Sequence, residues 1–168
     1  MSETVIQVTS LGKRIKGKTI LEDISFEINK GDCVALIGPN GAGKTVLMSC
    51  ILGDKKPSSG QVLIDGKAGK AKNKIAVLLQ ENTIPNSLKV EELIAFFQSI
   101  SDNPLTNQEV QDLLQFKEDQ YQQFADKLSG GQRRLLAFVL CLIDKPKILF
   151  LDEPTAGMDT STRQRFWE

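Results

Sequence analysis

The chain has no charge of either sign to spare. Twenty-one Lys and Arg balance twenty-one Asp and Glu over 168 residues, so net charge gives no reason to expect a nucleic-acid partner or a polybasic membrane contact. No apolar run approaches the ~18 residues that a bilayer span needs. The first ten residues, MSETVIQVTS, lack the charged-then-apolar layout of a secretory leader. These absences predict a cytosolic chain that another chain must hold if it works at a membrane. Cysteine is sparse: Cys33, Cys50 and Cys141 form no CxxC pair and no metal-ligand spacing. Each lies among apolar neighbours (CVALIG, LMSCIL, VLCLID), which predicts buried structural thiols in a reducing compartment. There is no internal repeat and no low-complexity tract. The small basic cluster Lys67 to Lys74 reads as a solvated turn. What is there is an ordinary globular composition, 40% hydrophobic and 25% charged, enough for one domain or one domain with a small insert.

The apolar pattern changes period along the chain. VIQVTSL (Val5 to Leu11) and ISFEI (Ile24 to Ile28) alternate at period two, as half-buried strands do. CVALIG (Cys33 to Gly38) and KIAVLLQ (Lys74 to Gln80) are continuous apolar runs, predicted as strands of a parallel sheet buried on both faces. QVLIDG (Gln61 to Gly66) predicts a strand and turn. A helix is expected from Lys44 to about Leu52, with Gly53 as its stop. Residues 89–101 and 107–117 read as helices separated by SDNP, so that about 82–127 forms a small helical insert. A further helix runs from LSGGQ to about Ile143, where DKPK breaks it. ILFLDEP (Ile148 to Pro154) is a buried strand that ends in two carboxylates. TSTRQRFWE starts a last helix, capped by Thr160 or Ser161.

Two glycine-bearing loops each open a helix. The first, GPNGAGKT, comprises Gly38, Pro39, Asn40, Gly41, Ala42, Gly43, Lys44 and Thr45. It follows an apolar run and fills the four fixed places of GxxxxGKT. Gly38 and Gly43 let the backbone turn successive N–H groups towards phosphate oxygens. Lys44 supplies a cation to the β and γ phosphates, Thr45 a hydroxyl for Mg²⁺, and the helix N-terminus a favourable partial charge. At the end of ILFLDE, Asp152 can hold the hydration shell of Mg²⁺, and Glu153 can orient or deprotonate an attacking water. Open parallel sheets gather ligands at these strand ends. The second loop, LSGGQ, has no such reading on its own.

Taken in order, GPNGAGKT, Gln80, LSGGQ, LFLDEP and AGMD (Ala156 to Asp159) resemble the ATP-binding-cassette ATPases over the whole chain. The resemblance implies an α/β P-loop NTPase: a RecA-like core sheet, an N-terminal antiparallel β part and the helical insert at 82–127, all in one domain. It implies ATP and Mg²⁺ as cofactors. It also accounts for the second loop, which in that family closes over the γ-phosphate held by another subunit. Ser129, Gly130, Gly131 and Gln132 would serve the nucleotide of a partner, either a second copy or a paralogous ATPase subunit, arranged head to tail. Gln80 would be the glutamine that senses Mg²⁺ and the water. Asp159 would belong to the loop that crosses the interface, and the insert would dock on a transmembrane permease at the inner face of the cell membrane.

Three departures from the family pattern stand out. The aromatic residue expected to stack on adenine is replaced by Ile15. The residue after Thr45, often a hydroxyl residue near the α-phosphate, is Val46, which leaves only its N–H. The family's switch histidine is absent, since the chain contains no histidine. The missing histidine implies a cassette incomplete at its C-terminal end, lacking the strand between those that carry Gly38 and Asp152, and weak or silent in turnover. The expected function is ATP hydrolysis driving a membrane transporter. A cytosolic ribosome-associated or DNA-repair ATPase of the same family and a silent nucleotide-binding fragment are the alternatives.

Overall fold

Lys16 and Gly17 both take positive φ, 48° and 80°, the two-residue turn whose twist matches a β-hairpin. In the computed structural model this turn joins β1 (Thr4–Ile15) to β2 (Lys18–Asn29) in a long antiparallel pair running from Thr4↔Asn29 to Ile15↔Lys18. The structure describes residues 3–68, 75–79, 84–85, 87–155 and 157–167. The chain divides into two units, Met1–Asn73 and Lys74–Glu168, each described by itself.

In the first unit, β3 (Ser59–Ile64) lies on the other edge of β1 and carries the two-residue β4 (Lys67–Ala68), giving the order β2-β1-β3-β4. Ile6 and Val8 point inward at period two. The register then shifts between Val8 and Leu11, with Ser10 at φ 44°, so Leu11 rather than Ser10 continues the buried row. Leu21 and Ile64 complete this apolar face, each such side chain being worth roughly 1.5–3 kcal/mol when fully buried. Helix α1 (Lys44–Ile51) buries Leu47, Cys50 and Ile51. It ends where expected: Gly53 takes φ 78° and its N–H reaches Cys50 O at 3.2 Å.

The strand predicted at Cys33 to Gly38 is not formed. Residues 32–39 make no ladder, and Val34, Leu36 and Ile37 are 58%, 45% and 90% exposed. A strand persists only where neighbouring backbone satisfies its N–H and C=O groups, and among the described residues no strand pairs with this run. Cys33 is therefore exposed, which corrects its reading as a buried thiol. The two N-terminal strands also run further than the apolar alternation indicated, because the polar segment around Lys16–Gly17 is the hairpin itself. Of the basic cluster, residues 69–74 lie outside the described residues.

In the second unit, β5 (Ile75–Leu78) and β6 (Ile148–Leu151) pair in parallel, from Ile75↔Ile148 to Leu78↔Leu151. The Asp152 N–H donates to Leu78 O at 2.9 Å and carries the pairing one step beyond the strand. Helices α2 (Val90–Ser99), α3 (Asn107–Leu114) and the short α4 (Glu118–Tyr121) precede α5 (Gly130–Leu142). Val90, Leu93, Val110 and Leu114 from these helices share a core with Leu78 of β5 and with Leu136 and Val139 of α5.

Helix starts follow capping chemistry. In Thr106–Glu109, the Glu109 N–H donates to the Thr106 hydroxyl at 3.2 Å, and the Thr106 N–H donates to the Glu109 carboxylate at 2.6 Å. The Thr106 backbone N–H first, and then the Thr106 hydroxyl, hold the Glu109 carboxyl below its ordinary pKa, with help from Lys145. Helix α3 stops at Leu114, short of the expected 117, because Gln115 turns left-handed at φ 49°. Helix α6 (Thr160–Trp167) has the Arg163 N–H on Asp159 O at 2.9 Å, so Asp159 takes the cap position, one residue before the predicted Thr160. Phe166 packs on Phe138 of α5 with ring centroids 4.3 Å apart.

Candidate functional site

The phosphate loop belongs to the first unit. Pro39 to Ala42 is a closed turn: the Ala42 N–H donates to Pro39 O at 3.2 Å, with Gly41 third in the turn at φ 82°. Gly43 follows at φ 94°. A Cβ there would stand 3.0 Å from Leu21 Cδ2 and 3.2 Å from Ile20 O. The loop thus curls at Gly41 and Gly43. Gly38 keeps an ordinary φ and has room for a Cβ, so the curl assigned to it lies at Gly41.

Lys44 opens α1, and its Nζ donates back to Gly38 O at 2.6 Å and Pro39 O at 3.0 Å. No side chain caps α1 and no acidic residue lies in its first turn. Its leading N–H groups and helix dipole are therefore left for an anion, with the Lys44 ammonium beside them. Thr45 is exposed, and its carbonyl accepts the Ser49 hydroxyl at 2.8 Å. Val46 is half-buried. Ile15 ends β1 opposite Lys18 at the hairpin turn and is 36% exposed, so it lies within the strand rather than after it. This loop fits a nucleotide phosphate chain on its own chemistry: glycine-shaped backbone, free helix N-terminus and an adjacent cation.

The second loop belongs to the second unit. Ser129 caps α5: its hydroxyl accepts the Gln132 N–H at 3.2 Å, while Gln132 Oε1 accepts the Ser129 N–H at 3.0 Å. Gly131 is buried, and a Cβ there would meet Met158 Cα at 3.4 Å and Asp159 Oδ2 at 3.8 Å. A Cβ on exposed Gly130 would meet nothing nearer than Gly157 O at 4.0 Å. The fold thus brings Ser129–Gln132 and Asp159 together and keeps Gly130 open to the outside.

Asp152 and Glu153 follow β6. Glu153 takes φ 47°, a left-handed conformation that costs an L-residue roughly 1–2 kcal/mol. Its side chain is exposed, and Asp152 is half-buried. Gln80 and Ala156 lie outside the described residues. Among the described residues, no group of three or more Cys, Asp or Glu forms a ready-made metal centre. Mg²⁺ commonly takes one or two protein oxygens and completes its octahedron with waters and substrate phosphates. Thr45 in the first unit carries a hydroxyl of that kind, and Asp152 in the second a carboxylate, each within its own unit.

One residue of this region escaped the sequence reading. Arg134, in α5, is only 7% exposed and is the one buried charged side chain among the described residues. Its guanidinium donates to the carbonyls of Asp152 at 2.7 Å, Glu153 at 3.0 Å and Pro154 at 3.1 Å, and to Leu79 O. Burial draws its pKa down, while Asp152, Cys141 and Glu153 push it back up. The signal was present in the periodicity. Gly131, Arg134 and Leu135 share one helix face, so the arginine falls on the core side of α5.

Comparison with known proteins follows the same lines. A family model described as "ABC transporter" matches residues 21–156. The chain is 35% identical over 164 residues to the spermidine/putrescine import ATP-binding protein PotA of Protochlamydia amoebophila (strain UWE25), covering 92% of this chain and 44% of that protein. It is 33% identical over 178 residues to the Nod factor export ATP-binding protein I of Ralstonia nicotianae (strain ATCC BAA-1114 / GMI1000), covering 99% of this chain and 55% of the relative. The chain thus spans about half the length of these relatives. A solved ATP binding subunit of an ABC transporter superposes with a TM-score of 0.80 at 24% identity, over 96% of this chain and 71% of that one. A dimeric ATP-binding cassette in a post-hydrolysis state with ADP and Pi gives 0.78 at 21%, over 95% and 78%. At such identities the likeness is one of fold.

Proposed function

The chain belongs to the ABC transporter family of ATPases, and on that footing we propose that it binds MgATP and hydrolyses it as the motor of a membrane transporter. It would act as a head-to-tail pair with a second copy or a paralogous subunit. The observation that carries this reading is the open face of Gly130 at the capped start of α5, where nothing lies nearer a would-be Cβ than Gly157 O at 4.0 Å. A glycine exposed at a helix N-terminus, within the LSGGQ loop that serves as the family's signature and that the chain's own phosphate loop does not need, is a surface for another molecule's phosphate.

Lys44 exchanges the Gly38 and Pro39 carbonyls for β- and γ-phosphate oxygens. The N–H groups from Gly41 to Val46 line the phosphate chain, and Ile15 offers an aliphatic contact to the adenine. Thr45, Asp152 and Gln80 would hold Mg²⁺ by their oxygens or its hydration shell. The metal's role there is to neutralise phosphate charge. Glu153 orients the attacking water and accepts its proton. Ser129, Gly130, Gly131 and Gln132 of one subunit face the γ-phosphate held by the other, and Asp159 lies at the shared interface. The helical insert, 82–127, docks on a transmembrane permease, so the chain works peripherally at the inner membrane face. No helix among the described residues is long and apolar enough to cross a membrane. Closure of the pair on ATP drives the permease, and hydrolysis reopens it.

Phosphate release from MgATP tests this reading on the intact protein. Glu153→Gln lowers turnover by about 10² or more and leaves ATP affinity near that of the wild type. Wild-type turnover in the variant removes Glu153 from the chemistry.

A further inference from the structure

The carbonyls that Arg134 gathers are those of the loop that presents Glu153. Asp152 O and Glu153 O share its Nη2 at 2.7 Å and 3.0 Å, Pro154 O takes Nε at 3.1 Å, and Leu79 O takes Nη1. Leu79 directly precedes Gln80. One side chain therefore ties α5 to the ends of both β5 and β6. Its described bonds go to backbone carbonyls, so it fixes where the chain runs as well as facing the charges of Asp152 and Glu153.

Glu153 needs that fixing. At φ 47° its backbone lies in a region that L-residues leave when nothing holds them, and its carbonyl is one of the four that Arg134 grips. We infer that Arg134 is a positioning residue for the Glu153 carboxylate: it holds the left-handed turn that presents that carboxylate, and couples it to the helix opened by Ser129. The inference rests on Glu153 being the residue that orients the attacking water.

The geometry explains why the residue is arginine. Four carbonyls in different directions require a planar fork with several N–H groups, which lysine's single ammonium does not match. Placement adds the coupling. Arg134 lies about one turn along α5 from Gly131, and a helix moves as a rod over that distance. A shift of Ser129–Gly131 towards a phosphate therefore pulls on the Glu153 turn, so engagement of the signature loop sets the carboxylate.

A double-mutant cycle on the intact protein tests this. Wild type, Arg134→Lys, Glu153→Gln and the double variant are compared for kcat and KM with MgATP, and thermal unfolding is recorded for each. Arg134→Lys is expected to lower kcat about tenfold or more, as misplacement of a catalytic group does, with KM within about twofold. In the Glu153→Gln background the same change costs nothing further, because the group it positions is gone. An undiminished kcat in Arg134→Lys overturns the inference, as does a full additional loss in the double variant, which marks a role independent of Glu153. If Glu153→Gln itself turns over at the wild-type rate, the reading of Glu153 fails first and takes the inference with it. Where Arg134→Lys does not fold, Arg134→Gln carries the same cycle with the same outcomes.

Discussion

The Lys44 ammonium stands 2.6 Å from the carbonyl oxygen of Gly38, so the last part of the phosphate loop is tied to its first residue. A ligand that replaces this carbonyl must offer a better acceptor, which a phosphate oxygen is. Lys44→Ala removes the cation and leaves the uncapped start of α1. ATP affinity in titration calorimetry should fall at least about tenfold, or ~1.4 kcal/mol. Unchanged affinity would put the nucleotide elsewhere.

Gly43 and Gly38 look equivalent in the motif but are not equivalent in the fold. Gly43 combines φ 94° with a would-be Cβ 3.0 Å from Leu21 Cδ2. Gly43→Ala should therefore destabilise the first unit by about 1–3 kcal/mol. Gly38→Ala meets only Ala42 Cβ at 3.5 Å and should leave the chemical denaturation midpoint almost unmoved. Equal losses in the two would contradict the loop geometry.

Much of this was legible in the sequence because it depends on neighbours in the chain. The curl at Gly43, the stop at Gly53, the helix that follows LSGGQ and the strand ending at Asp152 are set by residues within a few positions of one another. What was not legible depends on distant partners. CVALIG is apolar enough for a buried strand, yet pairing decides strands, and Val34 and Ile37 lie exposed without a ladder. Arg134 is the opposite case. The helical period puts it on the core side of α5 but does not reveal its partners: the carbonyls that accept its protons come from residues 55 positions before it and 18 to 20 positions after it. The sharp turn at Glu153 left no trace in the pattern at all, since an L-residue at positive φ is held by tertiary contacts.

Gly130 can take a side chain without disturbing its own unit, its nearest would-be contact being Gly157 O at 4.0 Å. Gly130→Asp should thus fold and bind ATP as a monomer much as the wild type does, while turnover falls to background. A carboxylate facing a partner's γ-phosphate in a partly dry interface is repelled by several kcal/mol, about 4 at 4 Å for a mid-range dielectric. Loss of monomeric ATP affinity instead would show that the signature loop acts within its own subunit.

The three cysteines differ in a way that labelling can read. Cys33 is exposed, and Cys50 is buried. Burial raises the thiol pKa of Cys50, and also that of Cys141, whose Sγ lies 3.6 Å from Val77 O. A raised pKa means less thiolate at any pH below it, hence slower alkylation. Native protein at pH 7.5 should label rapidly at Cys33 and slowly at the other two, with all three equal after denaturation. Fast native labelling of Cys50 would contradict the packing of α1.

The pairing of subunits is tested most directly by the molar mass of the Glu153→Gln protein in solution, with and without MgATP. Two phosphate loops, each closed by the other chain's Ser129–Gln132, predict a monomer without nucleotide and a stable dimer with it. The dimer should revert to monomer when either Lys44→Ala or Gly130→Asp is added. A Glu153→Gln protein that binds MgATP yet remains monomeric, or a dimer indifferent to Gly130→Asp, contradicts the account.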